Sequence, residues 1–193
     1  MSDDERSTVA PAMVDDVDDV TDLWVALAED QRSHGSTLLA ESNRAAVREW
    51  VARSVVTGEL LVAREGDDGD SDGGDGDGDP IGFVGFSIDR EGYERERVRG
   101  TVSNLFVVPE RRGEGVGADL LDAAERALAA EGAETVALEA LADNGRARAF
   151  YATHGYDVHR VELTKPLAEG AGDGTSGETD GGESESDPAG GTE

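Results

Sequence analysis

Residues 104–118 read Asn104-Leu105-Phe106-Val107-Val108-Pro109-Glu110-Arg111-Arg112-Gly113-Glu114-Gly115-Val116-Gly117-Ala118, and this stretch decides the fold. Leu105 to Val108 form a short apolar strand. Pro109 stops it, because proline has no N–H for a sheet ladder and holds the preceding residue extended. Two arginines and three alternating glycines follow, and an amphipathic helix begins at about Gly115. Positions without side chains at a helix start leave backbone N–H groups bare. With the positive end of the helix dipole they make an anion site suited to a phosphate or pyrophosphate. An ordinary glycine-rich strand-to-helix turn has the same composition, so this motif alone does not separate the two.

A second cluster follows about thirty residues on: Asn144-Gly145-Arg146-Ala147-Arg148-Ala149-Phe150-Tyr151, then Gly155-Tyr156. Taken together, Arg112-x-x-Gly115-x-Gly117 and Asn144-x-x-Ala147-x-x-Phe150-Tyr151-x-x-x-Gly155-Tyr156 closely resemble the two acetyl-CoA motifs of the GCN5-related N-acetyltransferase (GNAT) superfamily. The helix, strand and helix between them match that family's spacing, and a weaker resemblance extends over residues 9–167. It implies an α/β (α+β) fold with a mixed central sheet of six to seven strands and about four helices. The order implied is β-α-α-β-β-β-α-β-α-β, with the central strand bulged and the fourth and fifth strands splayed apart.

The resemblance also implies an activity, transfer of an acetyl group from acetyl-CoA to a primary amine by direct attack in a ternary complex. Carried over to this chain, the backbone of Leu105, Phe106 and Val107 pairs with the pantetheine arm, one N–H stabilising the oxyanion of the tetrahedral intermediate. Arg112, Gly113, Glu114, Gly115, Val116, Gly117 and Ala118 hold the pyrophosphate by successive amides. Arg111 and Arg112 form a positive island that draws in the polyanionic cosubstrate. Asn144 contacts the pantetheine or caps its helix. Tyr151 is the general acid for the departing thiolate, or an aromatic covering the strand gap beside Phe150. The general base is left open; Glu139 is the first candidate, then Glu91 or Glu96, each of which also reads as a solvated surface acid. His34, His154 and His159 show no ligand spacing and are assigned no role.

Two other functions fit parts of the pattern. Gly113-x-Gly115-x-x-Ala118 with Glu139 some twenty residues on satisfies a dinucleotide-binding fingerprint, which would make the chain an NAD-binding oxidoreductase. That fingerprint begins directly at a strand end, however, and here Pro109 and two arginines intervene. A non-catalytic acetyl-CoA-binding sensor would keep the glycine loop but has no need of Tyr151. The acceptor stays open among a small amine, an amino acid, a peptide N-terminus and a lysine side chain. The acidic surface favours a cationic one.

The apolar residues of the remaining chain place the other elements. Val9 to Met13 reads as a strand. Asp15 and Asp16 offer N-caps to a helix whose Val17, Val20, Trp24, Leu27 and Ala28 share one face. The acids clustered at its start (Asp15, Asp16, Asp18, Asp19, Asp22) resemble a metal site but suit the helix dipole better. Ser42 to Thr57 is a second helix, with Val47, Trp50, Val51 and Val55 inward and Gly58 as its stop. Leu60–Arg64 and Ile81–Ile88 read as a hairpin, Val98–Val108 as the central strand and Gly115–Glu131 as the central helix. Thr135–Leu141 is then a strand, Asn144–Thr153 a short helix and Tyr156–Leu163 a final strand.

The rest reads as uncored chain. Residues 66–80 are almost entirely Asp and Gly, an acidic insertion without the apolar content to order itself. The run from Asp68 to Asp79 matches a calcium-loop pattern, but lacks flanking helices and has Gly76 at the ninth position. Residues 1–8 and the acidic tail 168–193 read as disordered ends around a domain spanning 9–167.

Composition narrows the setting. The formal charge is −27, from 44 acidic and 17 basic residues, and Lys165 is the only lysine. Nucleic acid and anionic membranes both need a basic patch, so neither is expected as a partner. Cysteine is absent, which removes disulfides, thiolate metal sites and an acyl-cysteine route; no metal is expected. No signal peptide and no membrane span is read in the chain, which makes a cytoplasmic monomer or homodimer the expectation.

An acidic excess on helices as well as tails resembles a halophilic, haloarchaeal-type protein. Without the insertion and tail, about −12 remains on the folded part, and its self-repulsion opposes compaction until counterions screen it. The melting temperature is therefore expected to rise steeply from dilute buffer to molar KCl. A thermal scan showing greatest stability in dilute buffer would contradict this.

Overall fold

The computed structural model describes residues 7–65, 78–89 and 96–165. Residues 1–6, most of the acidic insertion with its calcium-loop pattern, Glu91 and the acidic tail lie outside them. The chain divides into a unit ending at Tyr156 and another beginning at Asp157.

In the first unit, strand β1 (Thr8–Pro11) is followed by helices α1 (Val17–Arg32) and α2 (Arg44–Thr57). Strands β2 (Leu60–Arg64), β3 (Pro80–Ile88) and β4 (Arg99–Val107) come next, then helix α3 (Val116–Ala130), strand β5 (Thr135–Leu138) and helix α4 (Gly145–Thr153). The sheet runs in sequence order, antiparallel from β1 to β4 and parallel between β4 and β5. This is the mixed α/β sheet with four helices expected from the resemblance.

Strand alternation sends β2 into two cores at once. Leu60 and Val62 join Phe83 and Phe106 beneath Val20 of α1 and Val47 and Val51 of α2. Leu61 and Ala63 join Val84 and Val107 beneath α3 on the other face. Helix α3 buries Val116, Leu120, Ala124 and Leu128, each four residues after the last and so stacked on one stripe.

Two expectations are corrected. Five strands form among the described residues instead of six to seven, because residues 156–165 adopt no strand. Val158, Val161 and Leu163 are all exposed there. Val158 differs in parity from Val161 and Leu163, so a strand here would put its apolar residues on both faces. Asp16 does occupy the N-cap position of α1, but its side chain makes no capping bond to that helix. It reaches back instead, one oxygen accepting from the Met13 N–H at 2.6 Å and the other pairing with Arg64.

No described helix is long and apolar enough to cross a membrane.

The Asp16–Arg64 pair is nearly closed to water, with side chains 8% and 12% exposed, and joins the start of α1 to the end of β2. Removing one partner of such a pair strands the other charge, at a cost of roughly 3–5 kcal/mol. Asp16→Ala is expected to lose about that much in urea unfolding. A change below about 1 kcal/mol would show that water reaches Arg64 freely.

Candidate functional site

The site is organised by an irregularity in β4. Gly85 of β3 pairs with Asn104, but the next residue, Phe86, pairs with Val102. Ser103 is therefore an extra residue, a β-bulge that locally increases twist and re-aims the side chains on either side. On the opposite edge, β5 pairs with β4 only from Arg99 to Val102. Past the bulge, β4 runs on to Val107 without β5 beside it.

The ladder phase determines which backbone groups this exposes. The Val108 N–H donates to the Ile81 carbonyl at 2.9 Å. Antiparallel alternation then turns the N–H and C=O groups of Phe106 and Asn104 toward β3, and those of Leu105 and Val107 toward the gap. Arg112 Nε donates to the Val107 carbonyl at 2.9 Å, which occupies one acceptor on that edge. Of the three residues expected to offer backbone there, Leu105 and Val107 face the gap and Phe106 does not.

The glycine loop lies at the same end of β4. Gly113 and Gly115 have φ of +92° and +93°, a left-handed conformation in which a Cβ crowds the following carbonyl. Neither has an atom within 4 Å of where a Cβ would stand, so the loop is open above both. The first amides to turn back into α3 are those of Ala118 and Asp119, both donating to the Gly115 carbonyl. The N–H groups from Gly113 to Gly117 precede that turn, as the unpaired donors of a helix start do.

The two arginines do not form a free positive island. Arg111 lies 3.3 Å from Glu65 and 3.1 Å from Glu114, and Arg112 lies 3.3 Å from Asp30 of α1. The Arg112 guanidinium also stacks 5.3 Å from the Phe106 ring centroid. In an acidic protein each guanidinium finds a carboxylate first. Arg112 thereby ties the loop to α1 and to the free edge of β4.

Helix α4 closes the other side. Asn144 Oδ1 accepts from the Ala147 N–H at 2.9 Å, an N-cap that starts the helix at Gly145. A Cβ on Gly117 would meet the Phe150 ring at 3.7 Å and Val107 at 3.8 Å, so α4, α3 and β4 converge there. Tyr151 packs edge-on against Phe150 and Tyr156, with centroids 5.2 Å and 5.8 Å away, and joins the core that contains Leu105. Its hydroxyl has no hydrogen-bond partner among the described residues, whereas the Tyr156 hydroxyl donates to Glu125 at 2.7 Å.

The structure therefore brings together Leu105, Val107, the glycine loop, Phe150 and Tyr151. Glu139 stands apart, exposed just beyond the end of β5. Glu96 is also exposed. Among the described residues no cluster is placed to hold a metal ion.

The resemblance implied a bulged central strand but did not place the bulge at Ser103, and sequence reading assigned no role to a groove formed by Trp24, Trp50 and Asn104. Both tryptophans fell on apolar helix stripes, and such a stripe does not distinguish a core side chain from one on a groove wall.

Comparison with known proteins gives the same family. A model of the acetyltransferase (GNAT) family matches residues 48–156, more than half of the chain. An uncharacterized N-acetyltransferase from Archaeoglobus fulgidus is 39% identical over 90 residues, which cover 44% of this chain and 56% of that protein. The chain thus matches about half the length of this relative. A GCN5-related N-acetyltransferase from Ralstonia eutropha superposes with a TM-score of 0.61 at 22% identity, covering 84% of this chain and 99% of its own. The NatC complex bound to Gag peptide and CoA superposes at 0.57 and 18% identity, covering 80% and 87%. Both structural likenesses are evidence of fold.

Burial raises the pKa of Tyr151 above the ordinary phenol value. Tyr156 is raised further, first by burial and then by its bond to Glu125. Both phenols therefore keep their protons past pH ~10, where a free tyrosine ionises. Their stabilising contribution is full below that pH and is lost as pH climbs through the raised values. A phenolate absorbance titration should show two late ionisations, removed one at a time by Tyr151→Phe and Tyr156→Phe. Ionisation of both at pH ~10 would show them to be solvated.

Proposed function

This chain belongs to the acetyltransferase (GNAT) family, whose general reaction is acetyl-CoA-dependent N-acetyl transfer, and we propose that it moves an acetyl group from acetyl-CoA to a primary amine by direct attack in a ternary complex. One observation carries this reading: β5 leaves β4 after Val102, so the Leu105–Val107 edge lies open beside the glycine loop. An extended amide-bearing chain with a pyrophosphate at one end, as in CoA, matches an open strand edge leading to bare helix-start amides. That the NatC neighbour was solved with CoA supports the same ligand.

Acetyl-CoA supplies the acyl group activated as a thioester. The chain's own residues do the rest. The Leu105 N–H, held by the ladder toward the gap, is a fixed donor for charge developing on the acyl oxygen, where a preorganised dipole acts most strongly. The amides from Gly113 to Gly117 hold the pyrophosphate, and Arg112 shapes the loop through Asp30 and the Val107 carbonyl. Asn144, with Oδ1 spent on the helix cap, has its Nδ2 donors left for the pantetheine arm. Tyr151, kept protonated by burial, can give its proton to the departing thiolate.

An oxidoreductase is disfavoured by the sheet. A dinucleotide fold needs successive parallel strands around the fingerprint, and among the described residues only β4 and β5 are parallel.

Two variants test the proposal. Gly115→Ala strains a left-handed position by roughly 1–2 kcal/mol and should weaken CoA binding in calorimetry about tenfold. Tyr151→Phe should lower kcat by about a hundredfold or more with little change in KM for acetyl-CoA. Preferential binding of NAD would overturn the assignment. Tight CoA binding without turnover of any amine would make the protein a sensor.

A further inference from the structure

On the sheet face covered by α1 and α2 lies a groove of about 340 Å³, lined by Trp24, Leu38, Asn43, Val47, Trp50 and Asn104. Its size falls near the small-molecule end of binding cavities, roughly 300–1,000 Å³. Its chemistry contrasts with the rest of the chain. A protein with 44 acidic and 17 basic residues has here a lining whose described residues carry no charge.

The bulge builds this groove. Gly85 faces Asn104 across the β3–β4 ladder, and a Cβ at Gly85 would meet the Trp50 ring at 2.8 Å and Ser103 Oγ at 3.1 Å. The missing side chain is the notch in which the Trp50 indole rests. Asn104 projects into the same groove, and its amide has no hydrogen-bond partner among the described residues. The next residue along β4 is Leu105, whose backbone faces the gap. The groove therefore ends one residue from the proposed acyl-transfer edge. Arg44–Asp22 and Arg48–Asp18 ion pairs join α1 and α2, placing those charges on the outside of its walls.

We propose that this groove is the acceptor site and selects a primary amine carried on an uncharged, apolar or aromatic body. The body lies against the indoles of Trp24 and Trp50, and the amine meets the Asn104 amide beside Leu105. The inference rests on the acetyltransferase reading for its chemistry, but not for binding. Indole faces cover apolar and aromatic surface well. A second positive charge on the acceptor would be desolvated with no carboxylate among the described lining residues to receive it. The net acidity of the surface thus does not set acceptor preference. Both a free small amine and a peptide N-terminus with an apolar first residue present this chemistry.

Trp24 and Trp50 are the chain's only tryptophans, so intrinsic fluorescence reads this groove directly, without acetyl-CoA. The full-length protein is titrated with 2-phenylethylamine and with 1,5-diaminopentane, and kcat/KM is then measured for both with acetyl-CoA. A saturable fluorescence change is expected for the phenylethylamine, with the diamine weaker by about tenfold or more in binding and in kcat/KM. Leu38→Glu puts a carboxylate on the rim at a residue 46% exposed, where folding tolerates it. It should shift the ratio of the two kcat/KM values toward the diamine by about tenfold. A tetrapeptide with a free N-terminal phenylalanine, assayed alongside, identifies the source by whichever apolar amine has the higher kcat/KM. Equal kcat/KM for both amines, or a ratio unmoved in Leu38→Glu, would overturn the groove proposal and leave the acetyltransferase standing. Saturable fluorescence without acetyl transfer would support the groove as an amine site and overturn the acetyltransferase reading.

Discussion

The extra residue at Ser103 is the constraint on which the site depends. A regular β4 would alternate its side chains evenly and could keep β5 beside it to the end. With one residue inserted, β4 twists and the phase of its side chains changes. Val102 and Leu105 both face the α3 core, while Asn104 enters the groove under α1 and α2. One irregularity thus shapes both proposed sites. It accompanies the opening of a backbone edge on the β5 side and places an asparagine and a tryptophan notch on the helical face.

Electrostatics in this molecule works through pairing more than through net charge. The acids are so numerous that both arginines of the glycine loop are already engaged. Arg111 lies against Glu65 and Glu114, and Arg112 against Asp30. In the proposed reading, anion recognition is left to amides oriented by Gly113 and Gly115, which carry partial positive charge. Such a site depends on geometry, and positive φ at two glycines supplies that geometry. Among the described lining residues of the groove, indoles and asparagine amides are the groups left for the proposed recognition.

Much of the fold was legible because it depends on local rules. The Leu105–Val108 run, Pro109 and the glycines marked a strand, a stop and a helix start, and α3 begins one residue after Gly115. Asn144 read as a cap, and its oxygen does cap α4. The final strand failed because a strand needs a partner as well as apolar residues, and Val158 is out of phase with Val161 and Leu163. Asp16 failed as a side-chain cap because Arg64, forty-eight residues later in sequence, offers its carboxylate a stronger partner. Nothing in the local sequence records that pairing.

The sequence by itself determined the order of the elements as far as α4, the glycine-rich helix start and the family motifs, since these rest on neighbours a few residues apart. Tertiary structure alone decided where β4 bulges, where β5 departs and which half-buried side chains face a groove. Those outcomes depend on register between strands distant in the chain, and register is a property of pairs. Ser103 carries no mark that makes it a bulge; it becomes one when Gly85 meets Asn104 and Phe86 meets Val102. Trp24 and Trp50 likewise read as core residues until the sheet beneath them supplies a notch and an open end.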